Sequence, residues 1–272
     1  MTKLYIVTVA STYRFYLKYL EESCKNNGIE LTILGFNEKW QGYTWKFNLL
    51  LNFLQLVDDN DIVCFIDGYD VICVRNLHEL IDEFIIKQRE TNCKIIVGSD
   101  NYIFTIQKMC ALYYFNTCNL KLINSGTYIG YAKDIKSILL NINMKNLKIN
   151  DQLLLTKYCN KNPEEFYVDE SADFFLVIHK PLCEIDDYVS IHNEIVYYNN
   201  KKPFFIHAPA CTKLNNILIK LNYTIPKNNI NNDLKAYLFY KTKLYMYDII
   251  NKNKLLITIL IITIILHLYK YI

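Results

Sequence analysis

Residues 62–71 have the sequence IVCFIDGYDV, an apolar run that ends in two carboxylates. A short apolar run rich in β-branched and aromatic residues is typical of a strand buried on both faces of a sheet. Ligands of open α/β sheets bind beyond the carboxyl ends of the strands. Asp67 and Asp70 stand at that end, with Gly68 between them to permit a tight turn. The pair predicts a divalent-cation site, although an ordinary strand-ending turn contains the same residue types.

Strand-like and helix-like apolar patterns alternate on both sides of this run. Further strands are predicted at residues 4–10, 29–34, 94–98, 166–168, 174–178 and 204–206. Helices are predicted at residues 14–26, 45–57, 77–87, 135–144 and 151–158. The alternation favours an α/β domain with a parallel, doubly wound sheet.

The composition indicates one large folded domain and excludes some partners. A chain of 272 residues can bury a substantial core, and a net charge of +3 gives no argument for nucleic acid as a partner. Nine cysteines without a C-x-x-C pair argue against a zinc site of that kind. Free buried cysteines are expected at positions such as Cys64 and Cys73. With no recognisable secretory signal, a reducing compartment is expected.

The C-terminal part of the sequence differs from the rest. We divide the chain into a globular domain (residues 1–226), a polar linker with a juxtamembrane helix (227–253) and a C-terminal anchor (254–272). Residues 255–266 are almost purely aliphatic. This stretch is shorter than the about 20 residues that span a bilayer. Lysines and tyrosines flanking the stretch can extend it. The prediction is a single-pass membrane anchor with the globular domain facing the cytosol; a buried or interfacial helix is the alternative.

Several segments, taken in order, resemble the glycosyltransferase domain of the procollagen lysyl hydroxylase and glycosyltransferase family, without its hydroxylase domain. They are LYIVTVA at 4–10, Trp40 with Lys46, FIDGYDV at 65–71, NSG at 124–126 with IGYA at 129–132, DQ at 151–152, and IH at 206–207 with TKL at 212–214. No single segment is specific, and the resemblance rests on their order and spacing over roughly residues 4–223.

The resemblance implies a fold and a reaction. The fold is the nucleotide-diphospho-sugar transferase type called GT-A, a Rossmann-like mixed sheet flanked by helices, followed here by a C-terminal hydrophobic helix. The reaction is transfer of a hexose from UDP-galactose or UDP-glucose to a hydroxyl acceptor such as hydroxylysine, with Mn²⁺. Asp67, Asp70 and His207 match the metal ligands of the family, and oxygen and imidazole ligands suit that ion. A lone histidine in a strand is otherwise more often structural.

The same resemblance implies roles for other residues around the donor. Thr8 and Ala10 would present backbone groups to uridine, and Trp40 and Tyr69 would stack on it. Lys46 matches a nucleotide-sugar contact, and Lys213 would neutralise a phosphate. The sugar and acceptor side would be lined by Asp100, Asn124, Ser125, Asp151 and Gln152. By themselves, Trp40 is an ordinary loop aromatic, Tyr69 a packing residue and Lys46 a solvated helix residue.

Two departures from the family pattern leave a second interpretation open. Asn150 stands where the family has an aspartate, and Asn cannot act as a base. Ala208-Pro209-Ala210 replaces a Gly-Asn-Gly-like turn, and Pro lacks a backbone N–H. The alternatives are a weakly active or inactive membrane-anchored protein that binds nucleotide sugars or glycans, and a membrane protein that keeps the fold for packing alone.

Overall fold

The computed structural model describes residues 2–225. Within this range the strands are β1 (Leu4–Val9), β2 (Leu31–Leu34), β3 (Ile62–Ile66), β4 (Val71–Cys73), β5 (Ile95–Tyr102), β6 (Ile123–Tyr131), β7 (Phe166–Asp169), β8 (Phe175–His179), β9 (Ser190–His192), β10 (Ile195–Tyr197) and β11 (Phe205–His207). The α-helices are α1 (Leu17–Asn26), α2 (Trp45–Phe53), α3 (His78–Thr91), α4 (Thr105–Phe115), α5 (Ala132–Asn141), α6 (Asp151–Lys161) and α7 (Asn215–Lys220).

The main sheet has nine strands and mixed direction. Its order is β2-β1-β3-β6-β5-β8-β11-β4, and β7 pairs with β5 beside this path. The pairs β1–β2, β1–β3, β5–β7, β5–β8 and β8–β11 are parallel. The strand β6 runs antiparallel to both of its neighbours, and β4 runs antiparallel to β11. The mixed sheet flanked by helices confirms the mixed α/β architecture that the resemblance implies, whereas the C-terminal hydrophobic helix of that prediction lies outside the described residues.

Strand β5 changes partner at Gly98. Residues 95–98 pair with β7, whereas residues 100–102 pair with β8, and the register with β6 shifts between Val97 and Ser99. A Cβ at Gly98 would lie 2.3 Å from Thr127 Oγ1, so only glycine lets the strands approach this closely. Beyond this shift, Asp100 pairs with Val177 of β8.

Two apolar layers cover the two faces of the sheet. One contains Phe65 and Tyr128 of the sheet with Phe47 and Leu50 of α2. The other contains Cys64 and Ile66 with Leu20 of α1 and Phe84 of α3. Since alternate residues of β3 point into both layers, the whole strand is buried, as its continuous apolar sequence predicts.

The prediction of an all-parallel sheet was wrong for β4 and β6. Neither strand was predicted: β4 has only three residues, and the NSGT segment of β6 interrupts its apolar pattern. The prediction that Asp100 follows a strand was also wrong, because β5 continues to Tyr102. Besides β4 and β6, sequence patterns did not predict α4, α7 or the β9–β10 hairpin, and α1 begins three residues later than predicted.

The sequence analysis did not predict a disulfide, but the structure contains one. Cys118 and Cys159 form a disulfide between the segment before β6 and helix α6. Cys64 and Cys73 are free and buried, as expected.

The predicted linker and juxtamembrane helix (227–253) and the predicted anchor (254–272) lie outside the described residues. Among the helices of residues 2–225, none combines the length and the apolar character that a bilayer span requires.

Candidate active site

Three residues with metal-binding side chains meet at the carboxyl ends of β3 and β11. Asp67 follows β3 directly, Asp70 precedes β4, and His207 ends β11. The pairing of β11 with β4 sets His207 opposite Val71, beside the acidic turn. One ligand atom from each side chain lies within 4.8 Å of the others. His207 Nε2 is 3.1 Å from Asp70 Oδ1 and 3.9 Å from Asp67 Oδ2.

Gly126 of β6 lies against this cluster. A Cβ at this position would lie 2.4 Å from Asp67 Oδ2 and 2.6 Å from His207 Cε1. Its backbone oxygen accepts a 2.8 Å hydrogen bond from the N–H of Asp67. The missing side chain therefore lets two of the three candidate ligands converge. In contrast, Gly68 lies in the bend at residues 68–70 without a left-handed φ. Its Cβ position is 2.9 Å from Thr8 Oγ1, so close approach rather than backbone freedom favours glycine here.

The orientation of the His207 ring is set by Asn124. The Asn124 Nδ2 group donates to Asp100 at 2.8 Å, and its Oδ1 accepts from the Gly126 N–H at 2.9 Å. The carboxylate only accepts and the backbone N–H only donates, so the amide has one orientation. His207 Nδ1 then donates to Asn124 Oδ1 at 3.1 Å, and Nε2 faces the two carboxylates.

The cluster fits a divalent cation. Burial alone would lower the pKa of His207, but Asp70 and then Asp67 favour the charged ring and leave that pKa above its ordinary value. The two carboxylates thus favour a positive charge at this place, and a bound cation would supply one. A histidine whose Nδ1–H is held by a second residue is the usual form of a metal-binding histidine. Two carboxylates and one imidazole suit Mn²⁺ and leave part of its coordination to other oxygens.

Lys46 is not the solvated helix residue that its sequence position suggests. Its ammonium is buried in the first turn of α2, 2.6 Å from Asp151 Oδ2 and 3.0 Å from Asp67 Oδ1. Ser125 donates a hydrogen bond to the same Asp151 oxygen. Burial disfavours the ammonium, but Asp151 and Asp67 outweigh this and raise the pKa of Lys46. Lys46 thus links the acidic turn to the start of α6.

Asp100 is the centre of a second polar cluster. Its Oδ1 atom is 2.8 Å from Asn124 Nδ2 and 2.8 Å from His179 Nε2. Its Oδ2 atom accepts from Gln152 Nε2 at 2.8 Å and from Tyr102 Oη at 3.2 Å. The Asp100 side chain has 0% exposure, so in this conformation it contacts protein groups only. The resemblance implies that Asp100 lines the sugar side. In the structure its carboxylate contacts Asn124 and Gln152, which are two other residues of that predicted group.

The groups predicted to bind uridine lie around the end of β1. Thr8 is fully buried, and its hydroxyl has no hydrogen-bond partner among residues 2–225. Ala10 is also buried, and its N–H donates to Leu34. The Tyr69 hydroxyl accepts from the N–H of Ser11 at 3.0 Å and so fastens the loop after β1.

Trp40 is 44% exposed and packs edge-on against Trp45, with ring centroids 5.5 Å apart. An exposed indole face of this kind is available to a flat ligand.

The turn after His207 keeps glycine-like geometry without glycine. Ala210 and Cys211 both have left-handed φ values, 57° and 62°, a conformation that favours glycine. The backbone N–H of Lys213 donates to the carbonyl oxygen of Cys183. Asn150 caps α6 by accepting a 3.2 Å hydrogen bond from Leu153 N–H, a role that aspartate fills equally well.

His179 is the site residue that sequence analysis missed. It stands at the end of the predicted strand 174–178, as His207 stands at the end of 204–206. A polar residue at the end of a buried strand was therefore the available signal. The ring stacks on Tyr102, with centroids 4.1 Å apart, and its Nε2 faces Asp100.

Comparison with known sequences shows the family. The sequence profile of the family described as "PLOD GT domain" matches residues 1–251. The chain belongs to the PLOD GT domain family. This family membership confirms the resemblance found in the sequence and makes the chain a member of a glycosyltransferase family.

Individual relatives of this family are distant and longer. The Multifunctional procollagen lysine hydroxylase and glycosyltransferase of Caenorhabditis elegans is 26% identical over 57% of this chain and 22% of its own length. Procollagen-lysine,2-oxoglutarate 5-dioxygenase 1 of Gallus gallus is 28% identical over 81% of this chain and 31% of its own length. The chain thus spans less than a third of each of these relatives.

One solved structure with a similar outline is a glycosyltransferase involved in the glycosylation of the major capsid of PBCV-1. It is 13% identical, with a TM-score of 0.44, and the match covers 75% of this chain and 94% of that one.

Proposed function

We propose that the protein is a metal-dependent glycosyltransferase of the GT-A type that moves a hexose from a UDP-sugar to a hydroxyl acceptor. The observation that carries the proposal is the convergence of Asp67 and Asp70, from one turn, with His207, which is 137 residues beyond Asp70 in sequence. These residues would hold Mn²⁺. When bound, the cation would act as a Lewis acid that stabilises the negative charge developing on the UDP leaving group.

The chain's own residues would prepare the donor site. Lys46 forms ion pairs with both Asp67 and Asp151 and holds the two carboxylates in place. The buried, unpartnered hydroxyl of Thr8 beside the acidic turn is a group that a bound nucleoside could satisfy. Trp40 and Tyr69 would contact the base, and Lys213 would meet a phosphate as a compact positive charge.

The sugar side would be formed by the start of α6 and of β6. Asp151 and Gln152 lie in the first turn of α6, and Asn124 and Ser125 lie in β6 directly before Gly126. Each is hydrogen-bonded within the site, so its orientation is fixed before a ligand arrives. UDP-galactose or UDP-glucose as donor and a hydroxylysine-type hydroxyl as acceptor are proposed from the resemblance to the family.

The test is release of UDP by the full-length protein. With Mn²⁺ and either donor, we expect slow UDP release without acceptor and faster release with a hydroxylysine-containing peptide. Asp70→Asn should lower release by more than about 100-fold, because it removes a metal ligand. Asp82→Asn, an exposed carboxylate on α3 away from the cluster, is the matched control and should have no effect.

Two other results would change the assignment. UDP binding in calorimetry without any release from either donor would identify a binding protein without turnover, the second interpretation of the sequence. Failure of the wild-type protein to bind UDP and Mn²⁺ would contradict the proposed function altogether.

A further inference from the structure

His179 and Asp100 form a buried pair next to the candidate active site. His179 lies at the end of β8 and Asp100 in β5, and the two strands pair over residues 100–102. The Nε2 and Oδ1 atoms are 2.8 Å apart, and the side chains have exposures of 9% and 0%. Since an ionised carboxylate only accepts hydrogen bonds, His179 Nε2 carries the proton in this contact.

The Asp100 carboxylate accepts hydrogen bonds from four side chains. His179 and Asn124 donate to one oxygen, and Gln152 and Tyr102 donate to the other. Burial opposes ionisation, but His179, together with the hydrogen bonds from Asn124 and Gln152, lowers the pKa of Asp100. A buried carboxylate is stable only with such compensation, so the position of Asp100 depends on its donors.

Two of these donors face the candidate active site. Asn124 turns its oxygen to His207 Nδ1 because its nitrogen is held by Asp100. Gln152 stands in the first turn of α6 beside Asp151, and its nitrogen is held by the other Asp100 oxygen. A shift of Asp100 would therefore move the metal side and the sugar side of the site together.

We propose that His179 is a positioning residue of the donor site, which acts through Asp100 to orient Asn124 toward His207 and Gln152 toward the sugar side. This inference rests on the proposed function, since it assumes that the site binds a cation and a UDP-sugar. Residues that orient metal ligands in this way typically change metal affinity 10- to 100-fold when they are replaced.

The experiment separates the hydrogen bond of His179 from its packing. His179→Phe keeps an aromatic ring against Tyr102 but removes the donor. His179→Gln keeps a donor at the distance of Nε2, whereas His179→Asn keeps an amide that is shorter by about one bond, roughly 1.5 Å. His192→Phe, an exposed histidine on β9, is the matched control.

Each full-length variant is measured for Mn²⁺ affinity, for kcat and KM of UDP release, and for thermal unfolding. We expect His179→Phe and His179→Asn to weaken Mn²⁺ binding by about tenfold. Both should also lower kcat more than they raise KM, because binding groups are present but misaligned. His179→Gln should stay within about threefold of wild type, and His192→Phe should match it. If His179→Phe does not fold, the comparison of Asn with Gln carries the test.

Three outcomes would overturn the inference. Unchanged Mn²⁺ affinity in both His179→Phe and His179→Asn would show that the pair does not act on the site. Equal losses in His179→Gln and His179→Asn, in parallel with their stability, would assign His179 a purely structural role. Absence of Mn²⁺ binding by the wild-type protein would contradict the proposed function, and this inference with it.

Discussion

Gly126 is the backbone position against which two candidate metal ligands pack. We predict that Gly126→Ala lowers Mn²⁺ affinity by about 100-fold, because a Cβ there overlaps Asp67 Oδ2 and His207 Cε1 and must displace them by about an ångström. Calorimetric titration with Mn²⁺ measures this.

Gly130→Ala in the same strand is the matched control. Its Cβ would meet Ile95 and the Lys94 backbone, away from the ligands. This variant should lose stability and keep its Mn²⁺ affinity. Equal affinity losses in the two variants would mean that the strand, rather than the ligand geometry, is at fault.

Lys46 stabilises the folded chain, although the helical pattern of its segment predicted a solvated side chain. We predict that Lys46→Met lowers the free energy of unfolding by about 3 kcal/mol, since it leaves Asp151 buried without its counter-charge. The value is at the lower end of the range for buried pairs because Asp67 is partly exposed. Urea unfolding measures the change, and Lys18→Met, an exposed residue of α1, should alter it by less than about 0.5 kcal/mol.

Functional residues were predictable from sequence where a charged or metal-binding side chain directly follows or ends a buried strand. A carboxylate pair after a buried strand and a histidine at the end of another pointed to one edge of the sheet, and the structure brings them together. Lys46 was not predictable in this way, and the position of His179 at the end of a buried strand did not identify its partner. Their partners lie more than 20 and more than 70 residues away in sequence, and a periodic pattern contains no information about such contacts.

At the scale of elements, the disulfide joins two parts that both contribute to the site. Cys118 precedes β6, which carries Ser125, and Cys159 lies in α6, which begins at Asp151. The bridge closes a loop with a sequence separation of 41. We predict that replacing both cysteines by serine lowers the unfolding free energy by about 4 kcal/mol in oxidised protein, from the entropy of the closed loop.

Urea unfolding with and without reductant is the measurement. The double variant should behave like reduced wild-type protein, and Cys183→Ser, an exposed free cysteine, should behave like oxidised wild type. An oxidised wild type that is no more stable than the double variant would contradict the assignment of this bridge.

Helices and strands were predictable from sequence to the extent that they are buried. β1, β3 and α2 have long apolar runs or a clear helical period, and they were found close to their predicted positions. The β9–β10 hairpin was missed because its strands have three residues each and are largely exposed. Helix α4 was missed because apolar residues occur on both its buried and its exposed sides, as at Ala111 and Ile106, which removes the one-sided pattern.

At the scale of the whole chain, membrane attachment remains a prediction that rests on sequence. The aliphatic residues 255–266 lie outside the described part of the structure. We predict that Ile259→Lys with Ile262→Lys releases the full-length protein from membranes, because a lysine in the apolar centre costs about 3 kcal/mol. Cell fractionation with a carbonate wash measures the distribution. Ile106→Lys on the exposed side of α4 is the control and should not change it.

Metal binding should be visible in the stability of the whole domain. Asp67, Asp70 and His207 are held together by the β11–β4 pairing and the Gly126 contact, so the cluster exists only in the folded chain. A cation that binds only this state at 100 times its dissociation constant stabilises it by about 2.7 kcal/mol. For a domain of this size that raises the melting temperature by about 5 to 10 °C.

We predict this shift with Mn²⁺, its reversal by a chelator, and a smaller shift with Mg²⁺, because an imidazole ligand favours the softer ion. Differential scanning calorimetry measures it, and Asp70→Asn should abolish the shift while Asp82→Asn retains it. A shift of equal size in Asp70→Asn would locate the stabilising cation elsewhere on the protein.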